Sequence, residues 1–197
     1  MGFAFVIAAA MALITLPSGA YGAHADFNQP GDGDRDGLVD ADEARYGTDV
    51  AREDTDGDGY KDGDELSHGY DPLRGDGVRL PKRIVVDISE QRLRYFYGEF
   101  GEQGSVLVSS AARGYRTPIG QFTVQIKRPV VRYKGPGYDY PNTKWNLQFL
   151  PRYYIHGAWW HNNFGRPMSH GCVNVSYKDM EALYNFADEG TTVIIQK

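Results

Sequence analysis

The chain has 197 residues and a net charge of −5, enough for one domain or two small ones. Its apolar and aromatic content supports a packed core and excludes a wholly disordered chain, and nothing in it resembles a nucleic-acid-binding module. The total charge hides an asymmetry: residues 26–76 hold 14 Asp and 3 Glu against 4 Arg and 1 Lys, a balance of −12, whereas residues 77–197 carry +7. The first segment is built to meet cations, and the second suits an anionic polymer.

Residues 1–25 contain no Asp, Glu, Lys or Arg. The apolar run Phe3–Leu16 is followed by Pro17-Ser18-Gly19 and small residues, which reads as a signal peptide cut after Ala25 or Ala20. The basic start usual for such a signal is missing, so the natural start is expected upstream. The run is shorter than the roughly 20 residues a membrane span requires, and no other segment could cross a bilayer. The expectation is an exported protein, in the periplasm or cell wall, with no stable membrane span after cleavage.

Residues 32–76 carry a repeat of period 22, within an expected acidic segment of 26–79. Each copy reads Asp-x-Asp-x-Asp-Gly-x-x-Asp-x-x-Glu, the pattern of a calcium loop. A hard divalent cation takes six to eight oxygens at about 2.3–2.6 Å. Asp32, Asp34, Asp36, Asp40 and Glu43 would supply carboxylates in the first copy, with the Leu38 carbonyl. Asp54, Asp56, Asp58, Asp62 and Glu65 would do so in the second, with the Tyr60 carbonyl. Pro30-Gly31 leaves no room for a helix before the first loop, so a paired EF-hand is not expected. Short helical stretches are expected at Asp40–Tyr46 and Asp62–His68. The repeat resembles the thrombospondin type 3 repeats of exported bacterial proteins, which implies structural Ca2+. A disordered acidic linker is the competing reading, and without metal the segment is expected to be disordered.

Residues 80–197 read as a sheet-rich domain. Alternating β-branched and aromatic residues predict strands at Arg83–Ser89, Arg92–Tyr97, Ser105–Ser110, Gln121–Ile126, Arg152–His156 and Thr192–Ile195. Pro129 to Pro151, rich in Tyr, Gly and Pro, reads as long loops that hold at most short strands. Ser176 starts a helix with Asp179 as its capping-box partner. Met180, Leu183, Tyr184 and Ala187 form its apolar stripe, and Gly190 stops it.

The single cysteine lies in Ser169-His170-Gly171-Cys172-Val173-Asn174, with Ile155-His156-Gly157 upstream. A lone thiol cannot cross-link the chain, and in an exported protein it is a reactive group worth flagging. A thiol, an imidazole and backbone N–H groups are the parts of acyl transfer through a thioester. A neighbouring imidazolium would lower the thiol pKa, and the N–H groups of Gly171 and Cys172 would face a developing oxyanion. Zinc has no support, because no CxxC or HExxH spacing accompanies the histidines.

These motifs, with Arg116-Thr117-Pro118-Ile119-Gly120-Gln121-Phe122 and an opening hairpin at Ile84–Tyr97, resemble the L,D-transpeptidase (YkuD-type) catalytic domain over roughly 83–197. The gap from His156 to Ser169 is shorter than in many members, which alters the loop that would roof the site. The resemblance implies a mainly β fold, a β-sandwich with a small helical cap. It implies Cys172 as nucleophile and His156 as base, oriented by a backbone carbonyl. His170 would shape the pocket, with its backbone part of the oxyanion site, and catalysis would need no cofactor. Peptidoglycan stem peptides would be the substrate, and carbapenems would inhibit. Ser169, Trp159, Arg166 and Asn174 are candidates for substrate contact, Ser169 and Asn174 also as loop scaffold, and Arg113 is a further candidate for a substrate carboxylate. Two other readings stay open: a carboxypeptidase or cross-link hydrolase using the same site, and a calcium-stiffened wall-binding module without catalysis.

Overall fold

The computed structural model describes residues 30–99 and 101–197, so the expected signal at 1–25 lies outside the described residues. Two short helices come first, α1 (Asp40–Tyr46) and α2 (Asp62–His68), at the bounds the repeat predicts. Each starts with acidic residues in its first turn, which favours the helix dipole. Each ends on a left-handed glycine, Gly47 at φ 84° and Gly69 at φ 80°. A side chain there would be strained, so glycine sets the stop.

The remainder is a nine-stranded sheet: β1 (Lys82–Asp87), β2 (Arg92–Tyr97), β3 (Gly101–Ser109), β4 (Gly120–Thr123), β5 (Ile126–Gly135), β6 (Tyr138–Leu150), β7 (Tyr153–Ala158), β8 (Val173–Ser176) and β9 (Thr192–Gln196), with α3 (Tyr177–Phe186) between β8 and β9. The spatial order is β4-β9-β1-β2-β3-β8-β7-β6-β5. The two ends of this sheet approach one another, because Gln125 N–H donates to the Gln148 carbonyl at 2.7 Å. The sandwich character therefore comes from one sheet curled around its own inner face. That face carries Ile84 and Val86 of β1, Leu93 of β2, Val108 of β3, Leu147 and Phe149 of β6, Ile155 of β7, Val173 and Val175 of β8, and Val193 and Ile195 of β9, all buried. Alternation along each strand turns these residues inward.

The helix α3 closes one side of the core through Met180 and Leu183. Its start is capped as the spacing predicts: Asp179 N–H donates to Ser176 Oγ at 3.2 Å. Its end differs. Phe186 is the last helical residue and Ala187 the cap, while Gly190 (φ 94°) serves the turn into β9.

The largest departure from the sequence reading is Pro129–Pro151. It forms most of the long β5–β6 hairpin rather than loops. Pro129 is tolerated because β5 is the edge strand, where one row of N–H groups has no partner. Pro141 falls where the register shifts between Val131 and Tyr133, beside Asn142 at φ 56°. The four-residue strand β8 also escapes the sequence pattern, since it merges with the glycine-containing run before it.

The repeats pack against the far end of the β2–β3 hairpin. A Cβ on Gly69 would meet the Tyr97 ring at 2.5 Å, and one on Gly101 would sit 3.3 Å from the Tyr46 hydroxyl. The chain leaves the repeats through a bridge between Tyr70 and Arg79.

Candidate active site and cation loops

β7 and β8 run parallel, with Ile155 opposite Val173 and His156 opposite Asn174. Cys172 stands one residue before β8. With side chains alternating along each strand, Cys172 and Asn174 project to the same side as His156. Residues 159–172 make the crossover that a parallel pair requires. Strand pairing thus places the thiol beside the imidazole.

His156 is buried, 3% exposed. Its Nδ1 lies 2.9 Å from the Gly157 carbonyl. That carbonyl can only accept, so Nδ1 carries the proton and Nε2 keeps a free lone pair. Gly157 admits no side chain: a Cβ would meet the Tyr177 ring at 2.6 Å and the Lys144 carbonyl at 3.0 Å. Burial pushes the His156 pKa down to about 4, against the Gly157 carbonyl, which favours the charged ring. Burial likewise pushes the Cys172 thiol up to about 11, against the Tyr154 backbone N–H. The sulfur is half-buried, open on the groove side and enclosed elsewhere, with the Arg152 carbonyl 3.8 Å away. Burial thus disfavours the charged form of both groups, opposite in direction to the lowering of the thiol pKa by an imidazolium that the sequence suggests.

The nucleophile loop closes on itself. Ser169 Oγ donates to the Cys172 carbonyl at 2.5 Å and accepts from Gly171 N–H at 3.1 Å. The Gly171 N–H, expected to face an oxyanion, is thus already engaged. Gly171 has φ 138°, and a Cβ there would meet the Tyr153 ring at 2.9 Å and the Arg116 carbonyl at 3.1 Å. The loop is moored to the end of β3, where Ser169 N–H donates to the Ser110 carbonyl and Ala112 N–H to the Ser169 carbonyl.

The thiol and the base open into a solvent-open groove lined by Tyr133, Tyr138, Tyr140, Trp160 and Met168 together with Ser169, His170 and Asn174. Three tyrosines of the β5–β6 hairpin each lay a ring on a different part of the site: Tyr133 on His156 (centroids 4.5 Å), Tyr138 on His170 (4.7 Å) and Tyr140 on Trp160 (3.9 Å). The hairpin and the loop from Gly157 to Met168 both wall the groove, the loop through Trp160 and Met168. These tyrosines escaped the sequence reading because their segment was read as loop; the alternation of Tyr138 and Tyr140 was the available signal.

Of the expected substrate contacts, Ser169 and Asn174 line the groove. Trp159 stands at its rim, 52% exposed and edge-on to Trp160, and Arg166 is exposed outside the lining. Asn174 sits 3.2 Å from His161 Nε2. The Asn174 atom in that contact is its amide nitrogen Nδ2, and His161 Nδ1 accepts from Asn163 N–H at 3.2 Å. Arg113 is exposed.

The acidic loops meet the test for a hard cation. Carboxylate oxygens of Asp32, Asp34 and Asp36 lie within 4.8 Å of one another, and so do those of Asp54, Asp56 and Asp58. Both oxygens of Glu43, a residue with no exposure, lack any hydrogen-bond donor, as do Asp34 Oδ2, Asp56 Oδ2 and Glu65 Oε2. A buried carboxylate without a counter-charge costs several kcal/mol, and a divalent ion bound by oxygens removes that cost. The remaining oxygens shape the loops: Asp32 accepts from Arg35 and Gly37 N–H, and Asp54 from Gly57 and Gly59 N–H. Leu38 and Tyr60, expected to offer carbonyls, donate their N–H groups to Asp36 and Asp58. Asp40 accepts from Gly33 N–H, and Asp62 accepts from both the N–H and the hydroxyl of Thr55, so these two brace the loops.

Residues 81–195 match the YkuD family, the L,D-transpeptidase catalytic domain, and residues 32–49 and 54–75 match the bacterial TSP3 repeat. Probable L,D-transpeptidase 3 of Mycobacterium tuberculosis (strain ATCC 25618 / H37Rv) is 33% identical over 114 residues, covering 50% of this chain and 41% of its own length. The crystal structure of an L,D-transpeptidase from M. tuberculosis H37Rv is 30% identical with a TM-score of 0.55, over 61% of this chain and 59% of that one. The crystal structure of L,D-transpeptidase 3 from M. tuberculosis in complex with a faropenem-derived adduct is 27% identical with a TM-score of 0.54, over 61% of this chain and 62% of that one. The chain thus spans about two fifths of the curated relative's length and about three fifths of those solved chains. The family match takes in more than half of the chain and covers all of β1 to β8 together with the Cys172 loop, and this protein belongs to the L,D-transpeptidase catalytic-domain family, here behind two bacterial TSP3 repeats.

Proposed function

We propose that this chain is an exported acyltransferase acting on peptidoglycan tetrapeptide stems through a thioester on Cys172. The observation that carries the reading is the tautomer of His156: Nδ1 is committed to the Gly157 carbonyl, which leaves Nε2 as the acceptor in the groove it shares with the thiol. His156 Nε2 takes the Cys172 proton as the sulfur attacks the carbonyl preceding the terminal D-Ala. The tetrahedral oxyanion collapses to a thioester, and D-Ala leaves with the proton returned by His156. An acceptor amine then attacks the thioester, gives its proton to His156 and displaces the Cys172 sulfur. Neutral partners suit this sequence, because the base removes the proton as the bond forms. Resolution by water would give a carboxypeptidase or hydrolase from the same acyl-enzyme.

The basic balance of residues 77–197 suits an anionic wall polymer. Asp32, Asp34, Asp36 and Glu43 in one loop, and Asp54, Asp56, Asp58 and Glu65 in the other, would hold structural Ca2+. The ion would supply charge neutralisation and loop order. The repeats rest on the β2–β3 hairpin, away from the groove, so the ion acts as a spacer element rather than as a part of catalysis.

The deciding experiment is mass spectrometry of products from a defined muropeptide, with and without an amine acceptor. Loss of D-Ala with transfer to the amine is expected; loss of D-Ala to water alone would assign hydrolysis. The relative that carries a faropenem-derived adduct supports a parallel assay, in which faropenem adds its mass to this chain and not to Cys172→Ala. Stem-peptide turnover by Cys172→Ala would overturn the proposal.

A further inference from the structure

The geometry points to Asn146 and Tyr133 as positioning residues for His156, so that the β5–β6 hairpin holds the ring in the plane in which the Gly157 carbonyl fixes its tautomer, as well as lining the groove. This inference rests on the proposed role of His156.

Asn146 sits directly across from His156 in the β6–β7 register and has no exposure. Its side chain is fully used. Nδ2 donates to the Arg128 carbonyl of β5 at 3.1 Å and to the Thr143 carbonyl of β6 at 2.9 Å, while Oδ1 accepts from the Tyr133 hydroxyl at 2.8 Å. One amide therefore pins both strands of the hairpin and fixes the far end of the Tyr133 ring. That ring stacks on the His156 imidazole with centroids 4.5 Å apart and planes 26° from parallel.

Among the described residues, the His156 side chain has one hydrogen-bond partner, the Gly157 carbonyl. A single bond at Nδ1 leaves the ring free to pivot about that contact. A flat face held against it removes the pivot and keeps the Nε2 lone pair in the groove. The same face meets the imidazolium that forms when the Cys172 proton arrives, and an aromatic face favours a cation over a neutral ring. Asn146 touches neither the groove nor the reacting atoms; it acts through Tyr133.

The test uses the full chain, first-order acylation by faropenem followed by mass spectrometry, and NMR of ring-labelled histidine to read the His156 tautomer. Tyr133→Phe differs by one buried oxygen and keeps the fold measurable; Tyr133→Leu removes the stacked face; Asn146→Ser removes the pin. By analogy with the outer partners of metal-binding histidines, such partners are worth about 10–100-fold. Acylation is expected to slow about tenfold in Tyr133→Phe and Asn146→Ser and up to about a hundredfold in Tyr133→Leu, with His156 shifting from the Nδ1–H form to a mixture. Folded variants that acylate at the parent rate would overturn the inference. Slower acylation with an unchanged tautomer would overturn it too, since Tyr133 would then act on the ligand. His156→Ala separates the two levels: full acylation by that variant sinks the base assignment itself, whereas an inert His156→Ala beside a fully active Tyr133→Phe and Asn146→Ser sinks only the positioning role.

Discussion

Asp36 and Gly63 join the two cation loops: Gly63 N–H donates to Asp36 Oδ2 at 3.1 Å, and a Cβ on Gly63 would fall 2.6 Å from the Asp36 carbonyl oxygen. The three atoms nearest that methyl, the Asp36 carbonyl oxygen, the Gly37 carbonyl carbon and the Leu38 nitrogen, are all backbone, so the loops would have to separate. Gly63→Ala is expected to cost about 1–3 kcal/mol of repeat stability, the usual penalty of overpacking, and to split one calcium-binding isotherm into two weaker steps. Calorimetric titration with Ca2+ checks this; an unchanged isotherm would mean that the loops are independent.

Glu43 and Glu65 bring buried oxygens with no donors to the two loops. Glu43→Gln and Glu65→Gln are each expected to weaken calcium binding at one loop by tenfold or more. Saturating Ca2+ is expected to raise the unfolding temperature of the parent chain by mass action, with about 2.7 kcal/mol gained at a hundred times the Kd. Chelation is expected to lower order in residues 32–76 while leaving the rate of faropenem acylation within about twofold. A large loss of acylation on chelation would replace the spacer reading by coupling between repeats and groove.

The neutral thiol–imidazole pair has a pH signature. Burial takes the His156 pKa from 6.5 to about 4. The unfolded chain therefore binds more protons between those values, and stability present above pH 6.5 drains away as pH falls toward 4. The full difference is about 3 kcal/mol at 1.36 kcal/mol per unit. His156→Gln should flatten that part of the acid unfolding profile. With the thiol pushed up to about 11, iodoacetamide should modify the resting protein slowly at pH 7 and faster toward alkaline pH. Rapid alkylation at neutral pH would reveal a preformed thiolate instead.

Gly171 holds φ 138°, and the Tyr153 ring and the Arg116 carbonyl stand where a Cβ would project. Gly171→Ala adds both strain and a clash, so a loss of about 1–3 kcal/mol is expected. Acylation should fall at least tenfold because the Cys172 loop must move. Thermal unfolding and faropenem labelling read the two effects separately; parent-like values in both would show that the loop has slack.

Local chemistry was legible in the sequence wherever neighbours in the chain decide it. The Ser176–Asp179 cap, the bounds of α1 and α2, and each of the two motifs that hold His156 and Cys172 are decided within a few residues. What escaped depends on register. Pro129 and Pro141 read as breakers because an edge position and a strand irregularity cannot be seen locally. Tyr133 and Asn146 meet His156 only across three strands. The charge states of His156 and Cys172 follow from burial, which no local pattern encodes.

The crossover of residues 159–172 leaves β7 and returns beside it in fixed register, and on the way it is tied to β3, where Gly165 N–H donates to the Val108 carbonyl and Met168 N–H to the Ser110 carbonyl. Reactivity is thus anchored in main-chain pairing along the whole span. An engineer who grafts new residues into this crossover would have to keep those ties and the Ser169–Cys172 loop for the reacting couple to be carried along intact.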